Sequence, residues 1–438
     1  MVVVPLVTLC LLATPPAVDV TGDWGVKVPA QTVKIDGKTL YIKKMAEFRV
    51  SPPTSVVVRN EKHIRVAEYT PDRKWGCGDR CYQTIAMECS VPGAVKADSL
   101  RLKASPDGPA FILGKDYQVD ADWGSAGRLN GGAIGPDTTV WFDYTYTMSR
   151  IDSIIMDDAG VVRIVQGDDA VLNVKVPPIP KGEHRLANIW IPGYLTSLSQ
   201  DFIYPIVESK FQASTGSALA VRKFIPNTWR KIKNGEEVTI LAWGDSVTEG
   251  DYLQNTACRW QEKFIDKLRS EFPKAKINLI TEAWGGRSTG SYLAEPAGSP
   301  RNFKDKILDR QPDLVISEFV NDVVGYPTQE STDKMYSTIR DMFKEKGIEW
   351  IIMTPHYDTW QHQPSFGDRV QKDTRPHIEA LRNFARNNNI ALVDVSKRWD
   401  HLALEGIPYP TLLLNGINHP CPQGLELYVN ALMDAFRK

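Results

Sequence analysis

The sequence lacks several features that would assign it to a broad functional class. Its formal net charge is only −1, from 52 basic and 53 acidic residues, so it does not resemble a nucleic-acid or polyanion binder. No internal run approaches the ~20 consecutive apolar residues that span a bilayer. Low-complexity tracts and clear internal repeats are missing too. The 438 residues, 42% of them hydrophobic, therefore suit a globular protein of two or three domains.

Cysteine is scarce, with six residues in the chain. Cys77, Cys81 and Cys89 lie close together, but three cysteines without a nearby histidine predict a zinc site only weakly. In an exported protein, a disulfide within this cluster is the better expectation, and Cys258 and Cys421 form a second candidate pair. One of the five cysteines after Cys10 would then stay unpaired.

The first residues favour export. Residues 1–17 form a short apolar run followed by small residues, as in a secretory signal peptide. A positively charged start is missing, so a buried N-terminal strand or a wrongly placed start codon is the alternative. We expect a secreted or periplasmic protein, with a cytoplasmic location as the alternative.

Two long regions follow, and they differ in pattern. Residues 18–205 contain short β-type runs separated by turn signals, which predicts a β-sandwich-like accessory domain. Its aromatic residues could form a carbohydrate-binding surface, although such residues more often fill a core. Residues 206–235 read as a connecting helix or linker.

Residues 236–438 alternate short β-branched runs with stretches of helical periodicity. This alternation predicts a five-stranded parallel sheet of the flavodoxin-like, doubly wound α/β class. In such sheets the ligand binds beyond the carboxyl ends of the strands, so chemically active side chains should follow strands directly.

Four residues meet this expectation. Ser246, in Gly-Asp-Ser, follows the first strand, where a base can reach its hydroxyl. Gly286 and Asn321 follow the second and third strands and can donate N–H groups to an oxyanion. His419 lies in the last loop, where it can take a proton. Singly, each fits a turn, a helix cap or a structural histidine equally well.

In this order, the four residues resemble the SGNH/GDSL hydrolase superfamily, which is named after them. The resemblance covers about residues 236–438 and implies a serine ester hydrolase with Ser246 as nucleophile and His419 as base. It also implies an oxyanion hole formed by the N–H groups of Ser246 and Gly286 and the amide of Asn321, and it requires no metal and no organic cofactor. The remaining candidates for the lining of the site are Asp245, Arg287, Phe319, Asp322 and His356.

Two positions depart from the family pattern. Phe319 replaces a residue of little bulk, which predicts a reshaped pocket wall. The family usually has an aspartate three residues before the histidine, where this chain has Gly416. His419 is then oriented by a neutral asparagine or a backbone carbonyl, by an aspartate elsewhere such as Asp322 or Asp358, or by Asn415 after one residue loops out. The first and third readings, both of which can involve Asn415, are favoured; a neutral partner would fix the tautomer but stabilise imidazolium less.

The resemblance also bears on the substrate. The superfamily includes many carbohydrate acetylesterases, so we expect an acyl ester of a small molecule or polysaccharide, with acetylated glycans first. A non-catalytic glycan-binding protein and an O-acyltransferase are the alternatives. The missing aspartate is the best support for the former, and retention of all four family residues argues against it.

Overall fold

The computed structural model describes residues 15–71, 76–211, 221–359 and 372–436. The predicted signal segment up to residue 14 lies outside them, as does part of the predicted connecting helix, at 212–220. No helix within the described ranges is long and apolar enough to cross a membrane.

Residues 237–393 contain a parallel sheet of five strands, in the spatial order β19-β18-β20-β21-β22. The strands are β18 (Glu237–Gly244), β19 (Lys276–Ala283), β20 (Leu314–Glu318), β21 (Glu349–Met353) and β22 (Ala391–Val393). Each corresponds to an apolar, β-branched run of the sequence. This order is that of flavodoxin-like folds, and it confirms the predicted fold class.

Helices connect and cover these strands. Their apolar positions recur at helical spacing, and glycine or asparagine in a left-handed conformation ends several of them. They are α1 (Pro226–Asn234), α2 (Ser246–Glu249), α3 (Trp260–Glu271), α4 (Thr289–Ala294), α5 (Phe303–Lys306), α6 (Asp322–Gly325), α7 (Gln329–Lys346), α8 (Pro376–Asn388), α9 (Val395–Leu402) and α10 (Pro422–Phe436).

Both faces of the parallel sheet are buried. One core packs α3 and α10 against the sheet around Trp260, Phe264 and Leu432. The other packs α7 and α8 against the opposite face around Trp243, Phe343 and Phe384. Because both faces are covered, the strands are apolar on both sides, and polar side chains are concentrated at the carboxyl edge.

The predicted N-terminal strand-rich domain is confirmed. Its antiparallel strands are β1 (Asp19–Val20), β2 (Gly25–Val28), β3 (Gln31–Ile35), β4 (Lys38–Ile42), β5 (Ala46–Arg49), β6 (Ser55–Ile64), β7 (Asp79–Arg80), β8 (Ile85–Ala86), β9 (Cys89–Ser90), β10 (Arg101–Lys103), β11 (Tyr117–Asp120), β12 (Ser125–Arg128), β13 (Thr139–Thr147), β14 (Arg150–Met156), β15 (Val162–Val165), β16 (His184–Ile191) and β17 (Ile203–Pro205).

These strands pack around two hydrophobic cores. In the first, β1–β5 face the sheet β15-β14-β16-β17 around Val26, Ile154 and Ile189. In the second, β10-β13-β6 packs with β11-β12-β7 around Leu102, Ala126 and Phe142. The layered packing of small sheets explains why the sequence shows short alternating runs between turn signals.

The strand-rich region contacts the last loops of the C-terminal region. The Asn188 side chain donates to the carbonyl of Gly406 (2.6 Å), and Val207 N–H donates to the carbonyl of Leu404 (2.9 Å). Farther along, Ile417 is buried with Cys89 and Trp123. This interface lies directly beside His419.

Candidate active site

Ser246 begins helix α2 at the carboxyl end of strand β18. Asp245 caps this helix, since its Oδ1 accepts a hydrogen bond from Val247 N–H (3.1 Å). The strand ends at Gly244, where a Cβ would lie 2.1 Å from Thr248 Oγ1 and 2.5 Å from a backbone oxygen of β20. Only glycine fits this close approach, which turns the chain sharply and leaves Ser246 half-buried at the sheet edge.

His419 faces this serine. Its Nε2 lies 3.1 Å from Ser246 Oγ, within hydrogen-bond distance for proton transfer. The ring of Tyr252 stacks on the imidazole with a centroid separation of 4.4 Å and an interplanar angle of 4°. The stacking holds the plane of the imidazole, and the C-terminal region itself supplies this contact.

Hydrogen bonds join the sequence motifs at the sheet edge. Backbone N–H and side-chain Nδ2 of Asn321 both donate to Asp245 Oδ2, at 3.0 and 2.8 Å. Asp322 in turn accepts from the N–H and hydroxyl of Thr289, at 2.9 and 2.8 Å. The loops that carry Ser246 and Asn321 and the helix that follows Gly286 are therefore held in one arrangement.

The loop after β19 lies next to the serine. Trp284 N–H donates to the last carbonyl of β18 (3.0 Å), and Gly285 N–H donates to Glu249 Oε2 (2.9 Å). Gly286 is exposed, and a Cβ built there would meet nothing within 4 Å. The exposed Arg287 places its guanidinium 4.9 Å from the ring centroid of Trp284. The loop thus has open space in front of Gly286 and an aromatic, cationic rim.

A carboxylate from the strand-rich region reaches the other side of the imidazole. Glu88 Oε1 lies 3.0 Å from His419 Nδ1, with 43% of the Glu88 side chain and 12% of the His419 side chain exposed. The two atoms are close, but their geometry does not meet that of a hydrogen bond, and Nδ1 has no hydrogen-bond partner among the described residues. Burial opposes ionisation of Glu88, but His419 and the Asn415 amide outweigh it and lower its pKa to about 2.

Asn415 holds the loop that carries His419. Its Oδ1 accepts from the backbone N–H groups of Ile417, Asn418 and His419, at 2.9, 2.9 and 3.0 Å. Its Nδ2 donates to Glu88 Oε1 at 2.8 Å. Asn415 therefore contacts the backbone of the histidine, whereas the carboxylate at the imidazole is that of Glu88.

The aspartate position of the family faces away from the imidazole. Gly416 has a φ of 70°, and a Cβ built there would lie 3.5 Å from Leu172 and 3.6 Å from Pro92. Because the left-handed backbone points this position at the strand-rich region, a side chain here would contact that region. The loop geometry explains how the chain departs from the family pattern at this residue.

The two aspartates considered as alternative acids are engaged elsewhere. Asp322 accepts from Thr289 and, at 2.9 Å, from the hydroxyl of Tyr336. Asp358 forms a buried ion pair with Arg375 (2.9 Å). The carboxylate at His419 is therefore that of Glu88, which no pattern in the sequence had indicated.

Phe319 lies in the core below the sheet. Its side chain is buried with Trp243, at a centroid separation of 4.8 Å and an interplanar angle of 76°. This corrects the expectation that it lines the pocket wall, because a residue just beyond β20 can point to either face of the sheet. The ring fills the core, and it leaves the neighbouring Asn321 directed toward Asp245.

His356 is completely buried beneath the His419 loop. Its Nε2 contacts the Asn418 carbonyl (2.9 Å), and its Nδ1 contacts the hydroxyl of Tyr428 (2.8 Å). A carbonyl can only accept, so Nε2 carries the proton. Burial and the nearby Arg375 lower the pKa of His356 well below its usual value, and the neutral ring supports the loop without lining the site.

Two carboxyl groups behind the serine are fully buried. Burial raises the pKa of Asp245 to about 6, although Asn321 and Val247 donate hydrogen bonds to it. Burial likewise raises the pKa of Asp322 to about 7, against the bonds from Thr289 and Tyr336. Groups that keep their protons to higher pH present less negative charge to an anion that forms in front of them.

Among the described cysteines, Cys81, Cys89, Cys258 and Cys421 are free thiols. This corrects the expected disulfides within the cluster and between Cys258 and Cys421. Cys89 is instead buried at the interface, where its Sγ contacts the carbonyls of Ala86 and Asn415, both at 3.4 Å. Over the described ranges, His, Cys, Asp and Glu side chains do not form a group of three that could hold a metal ion.

The C-terminal region matches a known family. Residues 242–427 match the model of the GDSL-like lipase/acylhydrolase family. No curated protein matches the chain.

Solved structures similar to this chain include three esterases. A two-domain esterase (CEX) active on acetylated mannans is 17% identical, with a TM-score of 0.39, over 48% of this chain and 52% of that chain. A catalytic mutant of Axe2, an acetylxylan esterase from Geobacillus stearothermophilus, is 18% identical, with a TM-score of 0.36, over 46% of this chain and 95% of that chain. The acetyl xylan esterase AlAXEase is 18% identical, with a TM-score of 0.36, over 45% and 99%. The match thus spans about half the length of the two-domain esterase.

Proposed function

We propose that the C-terminal region, which matches the model of the GDSL-like lipase/acylhydrolase family over residues 242–427, is an ester hydrolase domain that works through an acyl-enzyme on Ser246. The observation that carries this proposal is the 3.1 Å contact between Ser246 Oγ and His419 Nε2 at the carboxyl edge of the sheet. A serine hydroxyl is a weak nucleophile alone, and a base at this distance can take its proton during attack.

The reaction proceeds in two steps. His419 takes the Ser246 proton while Oγ bonds to the ester carbonyl carbon, and the imidazolium then protonates the leaving alcohol as the C–O bond breaks. In the second step His419 takes a proton from water as the water oxygen bonds to the acyl carbon, and it returns this proton to Ser246 Oγ as the acyl–Oγ bond breaks, which releases the acid.

The negatively charged oxygen of each tetrahedral intermediate needs hydrogen-bond donors. We assign these to the N–H groups of Ser246 and Gly286 and to the Nδ2 of Asn321, which has a second hydrogen besides the one given to Asp245.

For the substrate, we propose a short acyl ester of a carbohydrate. The Glu249 carboxylate accepts the N–H of Gly285 and fills the space beside the serine loop, which favours a small acyl group such as acetyl. Trp284 and Arg287 form a rim that can contact the face and the hydroxyls of a sugar ring. No bound metal or organic cofactor takes part in these steps.

The first test is hydrolysis of p-nitrophenyl acetate by the purified chain and by Ser246→Ala. We expect kcat/KM to fall by at least about 10⁴-fold in this variant with an unchanged fold, as for other serine hydrolases. Ser270→Ala, an exposed serine near the end of α3, is the matched control. Full activity in Ser246→Ala would rule out the serine mechanism.

The second test concerns the substrate. Acetate release from acetylated glycans, measured beside p-nitrophenyl butyrate and octanoate, should show a preference for the acetyl group. Mass spectrometry of the glycans after incubation separates hydrolysis from transfer, since an acyltransferase would move the acetyl group to another sugar hydroxyl. A preference for octanoate would contradict the carbohydrate acetyl proposal.

A further inference from the structure

The contact between Glu88 and His419 crosses from one region of the chain to the other. Glu88 lies in the strand-rich region, and its partners His419 and Asn415 lie in the last loop of the hydrolase domain, 327 positions away for Asn415. The hydrolase domain has a glycine where the family carries its acid. A carboxylate from outside the domain therefore occupies the place at Nδ1 that this acid would take.

We propose that Glu88 is the positioning residue that orients His419, so that the strand-rich region completes the catalytic apparatus. This inference rests on the proposed function. A carboxylate at Nδ1 holds the proton on that nitrogen, which leaves Nε2 free to accept from Ser246, and it stabilises the imidazolium that forms during attack. Glu88 stays ionised throughout and takes no proton.

The backbone around Glu88 is built to present its side chain. Strands β8 and β9 pair Ala86 with Cys89, so Met87 and Glu88 form a two-residue turn at the tip of this hairpin. Met87 has a φ of 59°, a left-handed conformation that costs a non-glycine residue about 1 kcal/mol or more. The surroundings must hold such a turn in place.

Those surroundings belong to both regions. Cys89, at the base of the turn, is fully buried against Ile417 and Trp123, and its thiol contacts the Asn415 carbonyl. Asn415 then binds Glu88 directly through its Nδ2. The hairpin and the histidine loop are therefore joined at two points, both at Asn415, beside the Glu88–His419 contact.

The test uses the full chain with p-nitrophenyl acetate and measures kcat/KM against pH. A fully buried triad carboxylate is worth about 10⁴-fold in kcat. Glu88 is partly exposed and its contact is not aligned, so we expect about a 10²-fold loss in kcat/KM for Glu88→Gln, with little change in KM. The acid limb of the profile should move to lower pH, since the charge that favours imidazolium is gone. A purely structural residue would not move this limb.

Two further variants complete the design. Glu47→Gln, exposed on β5, makes the same charge change in the same region and should behave like the wild type. Glu88→Ala should regain at least about tenfold in activity with added formate, because the site is open enough for a small carboxylate to replace the side chain. Thermal midpoints are measured beside this rescue. Together they show whether a loss of activity comes from a misoriented His419 or from loss of the fold.

The outcomes distinguish this inference from the proposed function. If Glu88→Gln stays within about threefold of the wild type while Ser246→Ala is inactive, the protein uses a serine–histidine dyad and the inference fails. If formate gives no rescue in a folded Glu88→Ala, the inference fails likewise. If Ser246→Ala is as active as the wild type, the proposed function itself fails, whatever Glu88 does.

Discussion

The C-terminal region and the strand-rich region bring their residues to the site in different ways. The C-terminal region places Ser246, Gly286 and Asn321 after successive strands of one parallel sheet, where topology alone brings them together. The strand-rich region contributes Glu88 from the tip of a short hairpin, through a contact that no local pattern requires. Motifs that follow successive strands of one sheet can be recognised in a sequence. A residue that reaches the site across an interface can be identified only from the three-dimensional structure.

The two contributions also differ in burial. Asp245 and Asp322, behind the serine and the oxyanion loop, are fully buried and hydrogen-bonded, whereas Glu88 is 43% exposed. Solvent weakens exposed charge interactions, so changes at the sheet edge should cost more activity than changes at the interface. The following variants test this order, from the largest expected effect to the smallest.

Asn321→Ala should have the largest effect of these variants. It removes a group to which we assign an oxyanion hydrogen bond, a loss that typically costs ~10²–10³ in turnover, and it removes the Nδ2 bond to Asp245. The measurement is kcat for p-nitrophenyl acetate, with circular dichroism to check the fold. Asn278→Ala, exposed on β19, is the control and should retain full activity. A loss smaller than about threefold for Asn321→Ala would assign the oxyanion to backbone donors alone and break the comparison.

Asn415→Ala tests the point where the two regions meet. The side chain is fully buried, and its loss leaves three backbone N–H groups of the histidine loop without their partner and removes one hydrogen bond to Glu88. Unsatisfied buried groups cost about 1–3 kcal/mol each, so both the thermal midpoint and kcat should fall, the latter by about 10–10²-fold. Asn234→Ala, exposed at the end of α1, is the control.

A double variant sharpens this test. If Asn415 acts on His419 partly by holding Glu88, then Glu88→Gln should cost less in the Asn415→Ala background than in the wild type, because the two residues are in contact. Strictly additive losses would mean that each region orients the histidine independently. In that case Asn415 and Glu88 would not act together on His419, although they are in contact at the interface.

How much could be predicted from the sequence also differs between the two regions. Each strand of the parallel sheet corresponds to an apolar run, and Ser246 and His419 were recognised by their place after these runs and in the last loop. Glu88 is one of 53 acidic residues and sits in a segment without a helix or strand signal of its own, so nothing distinguished it. The one available clue was the glycine at 416, which showed that an acid was missing but not where it came from.

Phe319 shows a second limit of the sequence. Its place beside Asn321 suggested the pocket, but the residue after a strand can face either side of a sheet, and here the aromatic cluster around Trp243 buries it. The disulfide expectations failed for a related reason, because spacing along the chain does not give the distance between two thiols. Both outcomes depend on tertiary packing, which the local pattern does not encode.

Substitution of Tyr252 by phenylalanine has the smallest expected effect on activity. Variants at this position also best distinguish the contribution of the C-terminal region to His419 from that of the strand-rich region. The C-terminal region holds the face of the imidazole through this ring, whereas Glu88 of the strand-rich region contacts Nδ1. The Tyr252 hydroxyl is buried and has no hydrogen-bond partner among the described residues, so Tyr252→Phe keeps the stacking and removes an unsatisfied group. We expect activity within about twofold of the wild type and a thermal midpoint about 1–3 °C higher.

Tyr252→Leu, by contrast, removes the stacking, which is worth about 0.5–1.5 kcal/mol for an aromatic pair, and should lower kcat/KM by about 3–10-fold. Because the leucine variant acts on the ring face, its loss should persist undiminished in Glu88→Gln. A loss that vanishes there would mean that both regions stabilise the same motion of the imidazole. A large loss in Tyr252→Phe would instead give the hydroxyl a part in the chemistry, and the contribution of the C-terminal region to His419 would then be polar as well as geometric.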